Sequence, residues 1–585
     1  MNWRQFSEST IGILAIYLGL TVLFTWPLVP QMATHLPHGS NDIWQNYWNF
    51  WWWREALFEL GTNPYWTAYQ FHPYGASLAL HTHSTFNQIV GLPINLALGP
   101  IAALNFTTLL GFFLSGVAAH HLAFEISKNR SAAYLAGLIF AFFPHHFEQS
   151  LEHLNLSSLQ FLPWVALYGM RTFRGGTRRD TVLFGVVFAL NTLACLHYAL
   201  FTLFILPWLW AVDCFRERYA VVELRNISGR LVAAGAVTLL IMAPFLTAML
   251  LQADLETYAK TTIDKGIDFA FLWLPSDHNP ILGMLTSSFY ETHRAYPSLG
   301  SQAYLGYTVL FLACIAWVRS PKDRNVVAWS LVFGSSLLLS LGANPTFAGE
   351  AVGIKLPHAL FEHIPVLKGL RVANRFIVIS MLALSVLASI GFVQAFAQRR
   401  GAALVCFLLI SFEYLWLPYP MQRVEALPIL ERIADEATGA VLDIPYSDHG
   451  LSAPNLAYQI QHGRPIIGGY ISVAPRGDAF LGRDPVLRQL AGLVPHVPRR
   501  IDIEHFRSLG ISHVVMHKDR TVEALNEAVT DLPASTHFYK RRQFQASRGM
   551  PEEIFEKISR KFAAAVGPPV FEDRRIRVYQ LSPQP

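Results

Sequence analysis

The sequence predicts an α-helical polytopic membrane protein, with about 11 transmembrane helices and a cytoplasmic N-terminus, that ends in an extracytoplasmic α/β domain. Three observations predict it. The 585 residues are 52% hydrophobic and only 15% charged, with a mean hydropathy of +0.31, where a soluble chain of this length carries more charge. Apolar runs recur through residues 1–419, separated by short Lys/Arg clusters. After residue 420 the composition changes to short strand patterns between polar helical stretches.

The first run, 11–29, follows one arginine, Arg4, and has no convincing small-residue cleavage site, so it reads as an uncleaved span. Basic residues in short loops stay on the cytoplasmic side. The clusters are Lys128–Arg130, Arg171–Arg179, Arg216–Arg230, Lys322–Arg324 and Arg399–Arg400. An even number of crossings must separate them, and the runs pair as 131–147 with 156–170, 231–251 with 303–319, and 326–342 with 372–397. The charge-free stretch between Asp180 and Asp213 is long enough for a hairpin of two short spans turning near His197 and Tyr198. Only one crossing fits between the first outer loop and Lys128. The span is assigned to 104–125, and 86–102, broken by Pro93 and Pro100, lies along the outer interface or re-enters.

This count leaves outer segments 33–103, 145–155, 254–302 and 343–371, and places 420–585 outside as a soluble domain. Within that domain AVLDIP, RPIIGGYI, SHVVMHK and RIRVYQL read as strands, and ERIADEAT and PEEIFEKISRKFAAAV as helices. The net charge of +5 is small and confined to short loops, so nucleic acid is excluded as a partner. The four cysteines, Cys195, Cys214, Cys314 and Cys406, lie in or beside apolar runs and form neither a disulfide framework nor a zinc spacing.

The first outer loop opens with SNDIWQNYWNFWWWREAL, in which Trp44, Trp48, Trp51 and Trp52 share one helical face and Asp42, Gln45, Asn46 and Asn49 the other. Indoles collect at membrane surfaces, so this helix is expected to lie flat on the bilayer with Asp42 at headgroup depth. A capping or first-turn acid is the plain alternative for Asp42. The loop continues through FHPYG, with His72, and then His81 and His83.

A span, an outer loop with an early Asp followed by Trp, an FxPxG turn, the AGLIFAFFPHHFEQSLEHLN run, the LRVANRF start of a late span and the tail segment YQIQHGRPIIGGYISVAPR together resemble the GT-C superfamily of membrane glycosyltransferases. More narrowly they resemble the bacterial GT-C-type membrane proteins, in which Gly commonly stands where this chain has Asn41. The resemblance covers most of the chain. It implies an inverting transfer of a sugar from a polyprenyl-phosphate donor to a glycan, lipid or protein acceptor of the cell envelope, at the outer face of the bacterial cytoplasmic membrane.

Such a reaction needs a base for the acceptor hydroxyl and cations for the phosphate that leaves. Asp42 is the expected base, acting late as the sugar becomes oxocarbenium-like, and burial among indoles is expected to raise its pKa. Arg371 and Arg375, at i, i+4, with Lys368 and His72, are the phosphate candidates, against the alternative of interfacial snorkelling. Trp44, His81, His83, His153, His197, Tyr198 and Tyr258 are candidates to touch donor or acceptor, and the third outer segment, with LWLPSDHNP, reads as a lid. Glu148 and Glu152, also at i, i+4, are expected to share a helix face and either hold a divalent cation, Mg or Mn, or simply cap a helical hairpin. The rival classes are a non-catalytic scaffold for envelope polysaccharide assembly, which would not need Asp42, and a lipid-linked sugar transporter, for which mid-membrane charges and inverted repeats are missing.

Overall fold

Apolar segments in hydrocarbon must pair every backbone N–H and C=O internally, which makes helices of them. A computed structural model describes residues 9–581 apart from 39–40, 218–220, 253–265, 294–301, 365–366, 371, 446–452, 473–483, 491–496, 499 and 522–549. In chain order its first helices are α1 (Thr10–Phe24), α2 (Asp42–Arg54), α3 (Thr85–Leu98), α4 (Pro100–Ser127), α5 (Arg130–Phe142), α6 (Pro144–Ser150), α7 (Leu162–Phe173) and α8 (Arg178–Ala194). They are followed by α9 (Leu196–Phe201), α10 (Leu206–Glu217), α11 (Val221–Leu250), α12 (Gly283–His293), α13 (Tyr307–Arg319), α14 (Arg324–Ser340), α15 (Ile377–Phe396) and α16 (Arg400–Glu413). Among the described residues, 100–127, 196–217, 222–250 and 373–396 are helical stretches long and apolar enough to cross a membrane.

Burial separates two kinds of apolar helix. α15 is hidden at the centre of the bundle, packed on α13, α14 and α5, and a Cβ on its Gly391 would meet the Leu312 carbonyl oxygen at 1.8 Å. α11 packs mainly on α8 and leaves Val232, Leu239, Leu240 and Leu250 exposed, as a lipid-facing helix does. The basic loops meet at one end. There Arg174 Nε lies 2.8 Å from Asp213 Oδ2, Arg324 Nε 3.3 Å from Asp213 Oδ1, and Arg171 Nη2 2.6 Å from Glu125 Oε2.

Pro93 does not break its helix. α3 runs through it, and the interruption falls at Gly99, whose φ of +87° lets α3 end and Pro100 start α4. The hairpin breaks at Cys195, which is extended between α8 and α9.

The last part of the chain begins with a short antiparallel pair, β1 (His35–Pro37) with β2 (Met421–Arg423), which ties it to the first loop. Beyond it β3 (Ala440–Ile444), β4 (Ile511–His517), β5 (Phe571–Glu572) and β6 (Ile576–Gln580) form a sheet in the order β3-β4-β6-β5. β3 and β4 are parallel and buried along their whole length, while the other pairs are antiparallel. α17 (Pro428–Glu436), α18 (Asn455–His462) and α19 (Glu552–Val566) accompany it. The expected strand RPIIGGYI is corrected: Ile466 makes one parallel bridge to Val441, and the following residues leave the sheet for the first loop.

The tryptophan face is corrected as well. Trp48, Trp51 and Trp52 are buried, and they join one apolar cluster with Leu430, Leu456 and Ile466 of the tail. Trp48 stacks on Trp52 with centroids 5.5 Å apart, and its Nε1–H donates to Gln459 Oε1 of α18 at 2.8 Å. The helical stripe is real, but protein covers it. Trp48→Ala should therefore cost about 3–5 kcal/mol and hasten proteolytic release of the tail. Unchanged melting and unchanged protection would mean that the indoles face lipid.

Candidate active site

Asp42 opens α2, where a carboxylate is favoured by the helix dipole. Asn46, one turn on, donates from Nδ2 to the Asp42 carbonyl at 3.0 Å and to the Glu152 carbonyl at 2.8 Å, which clamps the second outer loop onto α2. That clamp brings His153 to Asp42, with Nε2–H donating to Oδ2 at 2.8 Å, and its other nitrogen stands 3.7 Å from Glu152 Oε2. The Tyr470 hydroxyl, from the tail, donates to Asp42 Oδ1. The Asp42 side chain keeps 24% of its surface open, so a further donor can reach it.

Burial pushes the Asp42 carboxyl upward, as the sequence suggests. The His153 hydrogen bond and charge, the Tyr470 hydrogen bond and the Arg375 charge outweigh it and hold the group below its ordinary value. The expected raised pKa is thus corrected: Asp42 is ionised at neutral pH and its proton affinity is low.

Arg375 sits in a 3-10 turn, Ala373–Phe376, immediately before α15. Its Nη1 lies 3.1 Å from His197 Nε2. A guanidinium only donates, so His197 accepts there and carries its proton on Nδ1, toward Cys195 Sγ at 3.9 Å. The first loop, the second loop, the α8–α9 break and the start of α15 thus converge with the tail. The Arg375 charge reaches Asp42 at the end of the bundle away from the basic loops.

Other expected residues stand elsewhere. His81 is buried, accepts from the Ser472 N–H at Nδ1 and bonds Asn49 Oδ1 through Nε2 at 2.8 Å, and burial pushes its pKa down to about 3. His83 is buried and accepts the Trp53 indole N–H at 3.1 Å, and burial holds it well below the ordinary histidine value. Both are neutral braces of the first loop, which corrects their placement as ligand contacts. Tyr198 is buried and donates to the Leu156 carbonyl, a strut inside the bundle. His72 is corrected from the phosphate set, since its Nε2–H is given to the Leu509 carbonyl at 3.1 Å. Trp44 is half-buried beside the tail and α2 clusters. Tyr258, Arg371 and the Lys368 side chain lie outside the described residues.

Glu148 and Glu152 do not share a helix face, because α6 ends at Ser150 and Glu152 falls in the turn beyond it. Glu148 Oε2 lies 3.2 Å from His145 Nδ1, and both carboxylates are buried. No group of three or more His, Cys, Asp or Glu side chains among the described residues is arranged to hold a metal ion.

Tyr470, Gln459 and Ser472 were not singled out from the sequence. The available signal was the GlyGly pair before Tyr470: a Cβ on Gly469 would meet Gln70 Oε1 and the Phe71 ring, both at 2.7 Å, so only glycine lets the tail approach so closely.

No protein-family model and no curated protein matches the sequence. Among solved structures the chain is similar to the arabinofuranosyltransferase AftD from Mycobacteria, with 14% identity and a TM-score of 0.57 over 100% of this chain and 40% of that one. An Archaeoglobus fulgidus oligosaccharyltransferase follows, with 14% identity and a TM-score of 0.49 over 89% of this chain and 71% of that one. ArnT from Cupriavidus metallidurans bound to undecaprenyl phosphate has 11% identity and a TM-score of 0.44 over 98% and 99%. The chain therefore spans 40% of the length of AftD, and what it shares with that protein is the fold.

Proposed function

We propose that this protein is an inverting membrane glycosyltransferase that moves a sugar from a polyprenyl-phosphate donor to a cell-envelope glycan, lipid or protein at the outer face of the bacterial cytoplasmic membrane. One observation carries the reading: an ionised, partly open carboxylate, Asp42, feels the charge of a guanidinium, Arg375, at the end of an apolar bundle. The acceptor oxygen attacks the anomeric carbon as the bond from that carbon to the phosphate oxygen breaks. The electron pair leaves with the phosphate, whose charge Arg375 receives while His197 holds the guanidinium in place, and the acceptor proton goes to Asp42. The low proton affinity of Asp42 suits late transfer, from a hydroxyl already acidified by bonding to the sugar.

A single displacement inverts the anomeric carbon. Comparing the anomeric configuration of donor and product by NMR tests this step, and retention would refute it. The gathering of Arg171, Arg174, Arg216 and Arg324 at the opposite end supports an outward-facing site under the positive-inside rule. The shared fold with AftD supports the transferase class.

A further inference from the structure

We propose that the C-terminal domain is part of the active site, supplying Tyr470 as a positioning residue that orients the Asp42 carboxylate for proton transfer. This rests on the transferase reading of Asp42.

Tyr470 reaches Asp42 on a strap that is fastened at each step. Its start lies against β3, where the Val441 N–H donates to the Pro465 carbonyl at 2.8 Å and the Ile467 N–H to the Val441 carbonyl at 3.2 Å. It then zips onto the first loop: Ile466 N–H to Tyr69 C=O at 2.9 Å, His72 N–H to Ile466 C=O at 3.1 Å, and Phe71 N–H to Gly468 C=O at 2.9 Å. Beyond these the Tyr470 N–H donates to Gln70 Oε1 at 2.8 Å and the Ser472 N–H to His81 Nδ1 at 3.1 Å. The Ser472 hydroxyl donates to Gln45 Oε1 at 3.3 Å, on the same α2 face as Asp42.

A phenol held this way does not swing freely, which argues for an orienting group rather than a removable plug. Its hydrogen bond fixes Oδ1 while His153 fixes Oδ2, so the carboxylate plane is set by two loops from opposite ends of the chain. A carboxylate has about four lone-pair sites, so it can hold both donors and still accept from an acceptor hydroxyl. Burial and the charge of Asp42 hold the Tyr470 phenol protonated, a permanent donor.

The test is Tyr470→Phe, which keeps the ring and removes the hydroxyl. The groups facing Asp42 are His153 of the second loop, Tyr470 of the tail and Arg375 before α15, with Glu152 and His81 close by. Removing one donor should raise the Asp42 pKa, read by infrared titration of its carboxyl against an Asp42→Asn blank, without any substrate. On a panel of polyprenyl-phosphate sugars kcat should fall roughly 10- to 100-fold, the size of a lost hydrogen bond to a charged group, with the donor KM unchanged. An unmoved carboxyl titration, or turnover equal to or faster than wild type, would overturn the proposal. Turnover that survives Asp42→Asn would instead overturn the reading of Asp42 as the base, and no turnover by well-folded wild type would overturn the transferase reading beneath it.

Discussion

Asp42→Asn should reduce glycosyl transfer roughly 100- to 10,000-fold, the range of a general base, while expression, melting and donor binding stay close to wild type. Asparagine keeps the shape of the side chain and an oxygen that accepts from Tyr470, so the α2 N-terminus and the tail contact persist. It cannot take the acceptor proton, and it loses the charge that pairs with His153. The pH dependence of the wild type follows from the same site. Since the folded pKa of Asp42 lies below the ordinary carboxylate value, kcat/KM should stay independent of this group through neutral pH. It should fall only as pH drops through that lowered pKa. An acid limb well above the ordinary carboxylate range would assign the essential group elsewhere.

Arg375→Ala should cost roughly 100- to 1,000-fold in kcat, comparable with removing one donor to a developing anion. Arg375→Lys should recover part of this, because an ammonium supplies charge but not the planar fork that spans two phosphate oxygens. The alanine variant should also shift the acid limb of the pH profile upward, since the Arg375 charge helps hold the Asp42 carboxyl down. Steady-state kinetics of the three proteins over pH would check both effects. Wild-type kcat in Arg375→Ala would leave the arginine as a boundary residue with no part in the reaction.

How much of this was legible in the sequence depends on the range of each interaction. The Asp42 helix was readable because a 3.6-residue period is local, and the strands at 440–444, 511–517 and 576–580 were readable from apolar runs bounded by turns. Periodicity shows that the indole stripe of Trp48 and Trp52 is covered but not by what, and membrane and protein give the same pattern. The tail covers it, through Gln459 and the core around Leu456. His81 and His83 looked like loop histidines because their burial depends on Asn49, Trp53 and Ser472, two of which come from another helix and one from the tail. Tyr470 was beyond local reasoning altogether: it is 428 residues from the carboxylate it contacts. The Glu148 and Glu152 spacing assumed a helix that stops at Ser150, because helix ends are set by tertiary contacts that spacing does not record.

The central claim is that Asp42 removes the acceptor proton in a lipid-linked sugar transfer. Its most direct test is release of free polyprenyl phosphate from a panel of polyprenyl-phosphate sugars, with a cell-envelope extract as acceptor, by purified wild type beside Asp42→Asn. Release by the wild type from one donor, lost in the variant, is the predicted result. No release from any donor by well-folded protein, or equal release by the two proteins, would contradict it.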